Sequence, residues 1–133
     1  MQTVTFNDLL APSCCPPLPT SYAGITWSGG WLLSGPFGAF NTVSVSGPAS
    51  VGQTYSSFAL PLGRIFQSVR AYNGGGGSAT ISFACSGMPT VVRIIPAQTL
   101  ATITTGWTVP CPLVTFGSSI GWNVNLDDIL IGP

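Results

Sequence analysis

Apolar and polar residues exchange places along this chain in short runs, and the period of the exchange is two rather than helical. Residues 79–85 show it most clearly. Ala79, Ile81, Phe83 and Cys85 fall on one face, and Thr80, Ser82 and Ala84 fall on the other. Comparable runs occupy residues 3–6, 22–27, 31–33, 40–46, 54–60, 64–72, 90–95, 98–105, 107–109, 113–116, 120–124 and 126–131. Turn residues separate them, as at Gly47-Pro48, at Pro61 and in the four-glycine tip at 74–77. Val, Ile, Thr and aromatic residues are abundant while strong helix formers are scarce. The pattern predicts roughly ten strands at 8–12-residue spacing, an all-β chain folded as a jelly-roll-like two-sheet β-sandwich, with a small β-barrel as the alternative. With no internal repeat and no linker, residues 1–133 read as a single β-sandwich domain.

Charge narrows the function more than composition does. Asp8, Asp127, Asp128, Arg64, Arg70 and Arg93 are the only charged side chains, and Lys, Glu and His are absent. Three arginines cannot make the basic footprint that nucleic acid requires, and anionic lipid is disfavoured for the same reason. Apolar stretches are broken by Gly, Pro or polar residues well short of a membrane span, so no insertion is expected. A neutral surface of this kind invites self-association. Oligomeric state is not legible in the sequence.

Four cysteines without histidine read as two disulfides and an oxidising, extracellular compartment. Cys14 and Cys15 are adjacent, so each is expected to reach a distant partner, which leaves Cys85 and Cys111 and two possible connectivities. Such bridges would close loops of roughly 70–97 residues and contribute on the order of 4 kcal/mol each. Met1-Gln2-Thr3-Val4 has neither the basic start nor the apolar run of a leader, and Met1 reads as a start added before a mature N-terminus.

Three segments resemble, in order, a family of small secreted fungal proteins. Thr5-Phe6-Asn7-Asp8-Leu9 is similar to their Thr-Phe-Asp-Asp-Leu opening, and Tyr22-Ala23-Gly24-Ile25-Thr26-Trp27-Ser28 to their Tyr-Gly-Gly-Leu-x-Trp-Ser segment. Leu126-Asp127-Asp128-Ile129 is similar to their closing Asp-Asp/Asn-Ile strand. Asn7 stands where the first Asp is usual and Ala23 where Gly is usual. Some of these proteins elicit the plant hypersensitive response, and related bacterial domains are carbohydrate-binding jelly rolls. The resemblance implies a secreted elicitor or effector that meets a plant cell-surface component or a cell-wall glycan.

Catalysis has little to work with. Triads and dyads that need His or Lys are impossible, and three carboxylates barely supply a glycosidase pair, so the chain is expected not to be an enzyme. Those carboxylates sit in the first and last predicted strands. If the strands meet, Asp8, Asp127 and Asp128 with the Asn7 or Asn125 amide form a set of hard oxygen donors for a structural calcium ion. The competing role is to cap turns and accept backbone N–H groups. No cofactor is otherwise required. Among the aromatics, Trp27 and Trp122 lie in apolar strand patterns and read as core. Trp31 after Gly29-Gly30, and Tyr55 and Tyr72 beside turns, are the candidate ligand contacts. Arg64 and Arg70 are read as sharing a strand face and as pairing with the aspartates. Three functions follow from these features: the elicitor, a carbohydrate-binding jelly-roll module, and a self-associating extracellular structural protein.

Overall fold

The computed structural model describes residues 1–9, 16–35, 43–47, 55–120 and 123–133, with the Tyr55 side chain excepted. Twelve strands form among them: β1 Gln2–Val4, β2 Ser21–Tyr22, β3 Ile25–Trp27, β4 Leu32–Ser34, β5 Ser44–Ser46, β6 Tyr55–Ala59, β7 Ile65–Asn73, β8 Ala79–Ala84, β9 Val91–Ile95, β10 Thr99–Thr104, β11 Leu113–Ser118 and β12 Val124–Gly132. They make two antiparallel sheets. One runs β10-β7-β12-β5-β4, with β1 also on β12, and the other runs β2-β3-β6-β11-β8-β9. The sheets do not close on each other, so the molecule is a sandwich and not the alternative barrel.

Alternation builds the core. Ala79, Ile81 and Phe83 of β8 are buried, as are Val114 and Phe116 of β11 and Phe66, Val69 and Ala71 of β7. Aromatic rings run through the centre at van der Waals spacing. Phe58 meets Phe66 at 5.5 Å, Phe66 meets Phe83 at 5.2 Å, and Phe83 meets Phe116 at 5.2 Å. Edge-to-face and tilted pairs of this kind add to the burial of their area.

Three sequence expectations change. Residues 107–109 are loop, not strand, and 120 belongs to a turn that leads into the single long β12. Residues 22–27 are not one strand but the β2–β3 hairpin, closed by Ala23 and Gly24 at φ 56 and φ 77. Two consecutive positive φ values are the mark of a type I′ turn, which favours Gly and Asn. Alanine in this left-handed region costs roughly 1 kcal/mol against glycine. Ala23→Gly should therefore stabilise the fold by about 1 kcal/mol, read as a higher urea midpoint at unchanged slope.

β12 is the keystone. One edge pairs with β7 throughout, while the other is shared, with Leu126 opposite Val45 of β5 and residues 129–131 opposite β1. At the hand-over the register shifts between Asp127 and Leu130, and Asp128 has φ 51. This bulge changes the phase of the strand, so Val124 and Leu126 before it and Ile129 and Ile131 after it all reach the core. β9 ends the second sheet as an edge, with Val92 and Ile94 more than half exposed. Arg93 lies between them, opposite buried Ile81, and puts a charge where edge-to-edge pairing would occur.

Candidate functional site

Two loops at one end of the sandwich form a recess among the described residues. The first joins β8 to β9. Gly87, at φ 81, lets the chain turn so that the Met88 N–H donates to the Cys85 carbonyl at 3.1 Å. The second joins β10 to β11. There the Trp107 N–H donates to the Thr105 hydroxyl at 3.1 Å, and that hydroxyl donates to the Phe66 carbonyl at 2.6 Å. The tight turn sends the Trp107 ring inward against Phe66, 5.9 Å away.

The two loops are tied to each other as well as to the sheets. Trp107 Nε1–H donates to the Pro89 carbonyl at 3.0 Å, and Cys85 is bonded to Cys111. Between the loops lies a cleft of about 420 Å³. Met88, Pro89 and Val91 line one side, and Trp107, Thr108 and Val109 line the other. Its lining contains no charged side chain and no thiol. Met88 packs on the core and Trp107 is 8% exposed, so the floor is rigid, while Val109 stands at the rim at 52% exposure. A second hollow of about 350 Å³, lined by Cys85, Pro112 and Leu113 among others, lies along the same disulfide.

The expected site residues are placed elsewhere. The disulfide is Cys85–Cys111, which excludes both cross-connections to the N-terminal pair; Cys14 and Cys15 lie outside the described residues. The reason is topological: β8 and β11 are hydrogen-bonded neighbours, with Ala84 opposite Thr115, so the cysteines flanking those strand ends come to a Cα separation of 6.2 Å. Trp31 is not on a rim. Gly30 at φ 91 turns the chain inward, and the Trp31 indole is buried against Trp27 and Phe116. Tyr72 is buried in β7, and its hydroxyl donates to Gln98 Oε1 at 2.9 Å. Tyr55 opens β6 with its side chain outside the description, and Trp122 is outside it too. Trp27 is core, as its strand pattern implies.

The carboxylates do structural work. Asp8 accepts the Tyr22 hydroxyl; burial first, then this carboxylate, pushes the phenol well above its ordinary range. Asp128 pairs with Arg70 at 2.9 Å, and buried Asp127 accepts the Asp128 N–H at 2.8 Å within the bulge. Asn7 accepts the Val43 N–H, and Asn125 donates to the Ser44 hydroxyl at 3.0 Å. Among the described residues no group of three or more His, Cys, Asp or Glu gathers to hold a metal ion. Arg64 stands just before β7 and so does not share a strand with Arg70. Its Nε donates to the Gly132 carbonyl at 2.9 Å and its Nη2 to that of Ile131 at 3.3 Å, clamping the end of β12.

Two of the segments that carry the resemblance, residues 5–9 and 22–28, meet in the core. Phe6, at φ 59 with the Leu9 N–H on its carbonyl, drops into the core, stacks on Tyr22 at 5.5 Å and meets the tilted ring of Trp27 at 5.6 Å. Sequence reading passed over Trp107 and Met88 as site residues. The available signal was the pair of Gly-containing turns, each beside a cysteine.

No protein-family profile matches the chain, and no curated protein does. Solved structures do match. The CBM22-1-GH10 modules of the Clostridium thermocellum endo-1,4-β-D-xylanase 10B, complexed with xylohexaose, superpose at TM-score 0.54 with 12% identity over 99% of this chain. An exo-β-1,3-galactanase from Phanerochaete chrysosporium with galactose gives 0.47 at 12% identity over 90%, and a family 16 carbohydrate-binding module gives 0.31 at 13% over 86% of this chain and 89% of its own. This chain spans 28% of the xylanase and 30% of the galactanase structure. At these identities the xylanase match speaks to the fold alone, a β-sandwich.

Proposed function

We propose that this chain is an extracellular carbohydrate-binding module, without catalytic activity of its own, that holds a neutral cell-wall glycan in the cleft beside Trp107. The observation that carries the reading is the cleft's make-up: an apolar floor and rim with threonine hydroxyls, no charge, and walls fixed by a disulfide and an indole hydrogen bond. Sugars offer apolar C–H faces and hydroxyl edges, and such a recess answers both. Rigid walls spare the ligand the entropy of ordering them. The β-sandwich likeness to a structure containing a carbohydrate-binding module supports the same reading. The disulfide fits an oxidising compartment, and no helix among the described residues is long and apolar enough to cross a membrane. The non-catalytic assignment is supported by where the three carboxylates are spent, away from the cleft and in structural contacts. The elicitor reading rests on motifs whose residues pack the sandwich, and the glycan reading is the one the cleft favours.

The test is an array of neutral cell-wall oligosaccharides with three proteins. Wild type should bind. Val109→Asp sets a carboxylate on the cleft rim, and should weaken binding by about tenfold or more at unchanged melting temperature. Leu62→Asp, fully exposed and absent from the cleft lining, should bind as wild type does. A Val109→Asp protein that binds like wild type would remove the cleft from the proposal. Failure of wild type on every neutral glycan would remove the function.

A further inference from the structure

We infer that Asn73 is a modification site held silent by the native fold, which deamidates when the four-glycine tip at residues 74–77 opens and not before. Asn73 is the one asparagine in the chain followed by glycine. A glycine neighbour has no Cβ to hinder approach to its backbone nitrogen, so this pairing is the one most open to cyclisation. In that reaction the Gly74 amide nitrogen gives up its proton and bonds to Asn73 Cγ. The Cγ–Nδ2 bond breaks and ammonia leaves. Water then opens the cyclic imide to aspartate, or to isoaspartate with the main chain rerouted through the side chain.

The fold blocks each part of this. Asn73 is fully buried at the end of β7. Its Nδ2 donates to the carbonyls of Gly77 at 2.8 Å, Ile95 at 2.9 Å and Pro96 at 3.2 Å, and its Oδ1 accepts the Gly75 N–H at 2.8 Å. The side chain cannot swing onto the Gly74 nitrogen without giving these bonds up. That nitrogen keeps its own proton engaged, because the Gly74 N–H donates to the Asn123 carbonyl at 2.8 Å. Gln98 clasps the tip from outside. Its Nε2 donates to the Gly74 carbonyl at 2.7 Å and the Gly75 carbonyl at 3.0 Å, while its Oε1 accepts the Tyr72 hydroxyl. The tip is also closely packed: a Cβ on Gly75 would stand 3.0 Å from Ile120 Cδ1 and 3.2 Å from Asn73 Oδ1. The product does not fit this place. The Gly77, Ile95 and Pro96 carbonyls only accept, so a carboxylate facing them would be buried without a donor. Isoaspartate would add a methylene to β7 where Asn73 pairs with Thr99 and Val124.

The experiment follows conversion at every asparagine by peptide mapping and mass spectrometry. Wild-type protein is kept folded, or unfolded in guanidinium chloride, in the same mildly alkaline buffer. Asn73 should convert fastest of the asparagines in denaturant, and at least about tenfold more slowly in the folded protein. Gln98→Ala removes an exposed side chain and with it the outer clasp. In the folded protein it should raise conversion at Asn73 severalfold, with Asn7 and Asn125 unchanged and the circular dichroism native. Equal rates at Asn73 in the folded and unfolded protein would overturn the inference. So would a Gln98→Ala effect that is absent, or one spread evenly over all asparagines, which reports only general loosening of the fold.

Discussion

Trp31→Ala should cost the fold about 3–5 kcal/mol, because it empties a buried ring position that meets three other aromatic rings. Trp31 is 1% exposed. It packs edge-on to Trp27 at 5.3 Å and meets Phe116 at 6.0 Å and Phe58 at 6.3 Å. Its Nε1–H lies 3.1 Å from the Ser28 hydroxyl and 3.2 Å from the Ser57 carbonyl, while the Ser57 N–H also donates to Ser28 Oγ. Removing the ring leaves a large void and takes a donor from the Ser28 hydroxyl and the Ser57 carbonyl. Trp31→Phe keeps most of the apolar volume and should cost appreciably less. Urea unfolding checks both, and glycan binding by the folded Trp31→Phe protein should match wild type. A Trp31→Ala protein with native stability and lost binding would return this residue to the ligand.

The second large effect belongs to the disulfide. Cys85→Ala with Cys111→Ala should lower stability by about 3.5 kcal/mol, the chain entropy released by opening a loop with a sequence separation of 26. For a domain of ordinary stability, about 5–15 kcal/mol, that is a substantial fraction. Both cysteines are largely buried, and alanine avoids stranding a hydroxyl there. The bridge also braces both walls of the cleft, so affinity for the best neutral oligosaccharide should fall at temperatures where the variant is fully folded. Differential scanning calorimetry and calorimetric titration separate the two losses. A stability loss with undiminished affinity would show that the indole bond alone holds the walls.

How much of this was legible depends on whether a strand shows water one of its faces. β8 does, and its alternation gives its start, its end to within one residue and its buried face. β12 does not. Val124 through Asp127 are all buried, so the period vanishes and the strand was divided in two. The bulge hid it further, since the inward phase changes at Asp128 and no residue type announces that. The aspartates have turn and pairing roles open to them in the sequence, and which of them meets Arg70 depends on that same bulge. The cysteine pairing failed for a different reason. Adjacent cysteines were treated as a constraint on the other two, whereas sheet order makes Cys85 and Cys111 neighbours. Trp107 could not be separated from a core tryptophan by sequence, because it is nearly one: its ring packs like core and only its margin reaches the cleft.

The pairing of β1 with the far end of β12 sets Gln2 opposite Ile131. A polypeptide that enters this sandwich and one that leaves it do so almost at the same point. The unit can therefore be spliced into a surface loop of a larger host without prying that loop apart, or relinked head to tail and reopened at a hairpin, with both sheets left intact.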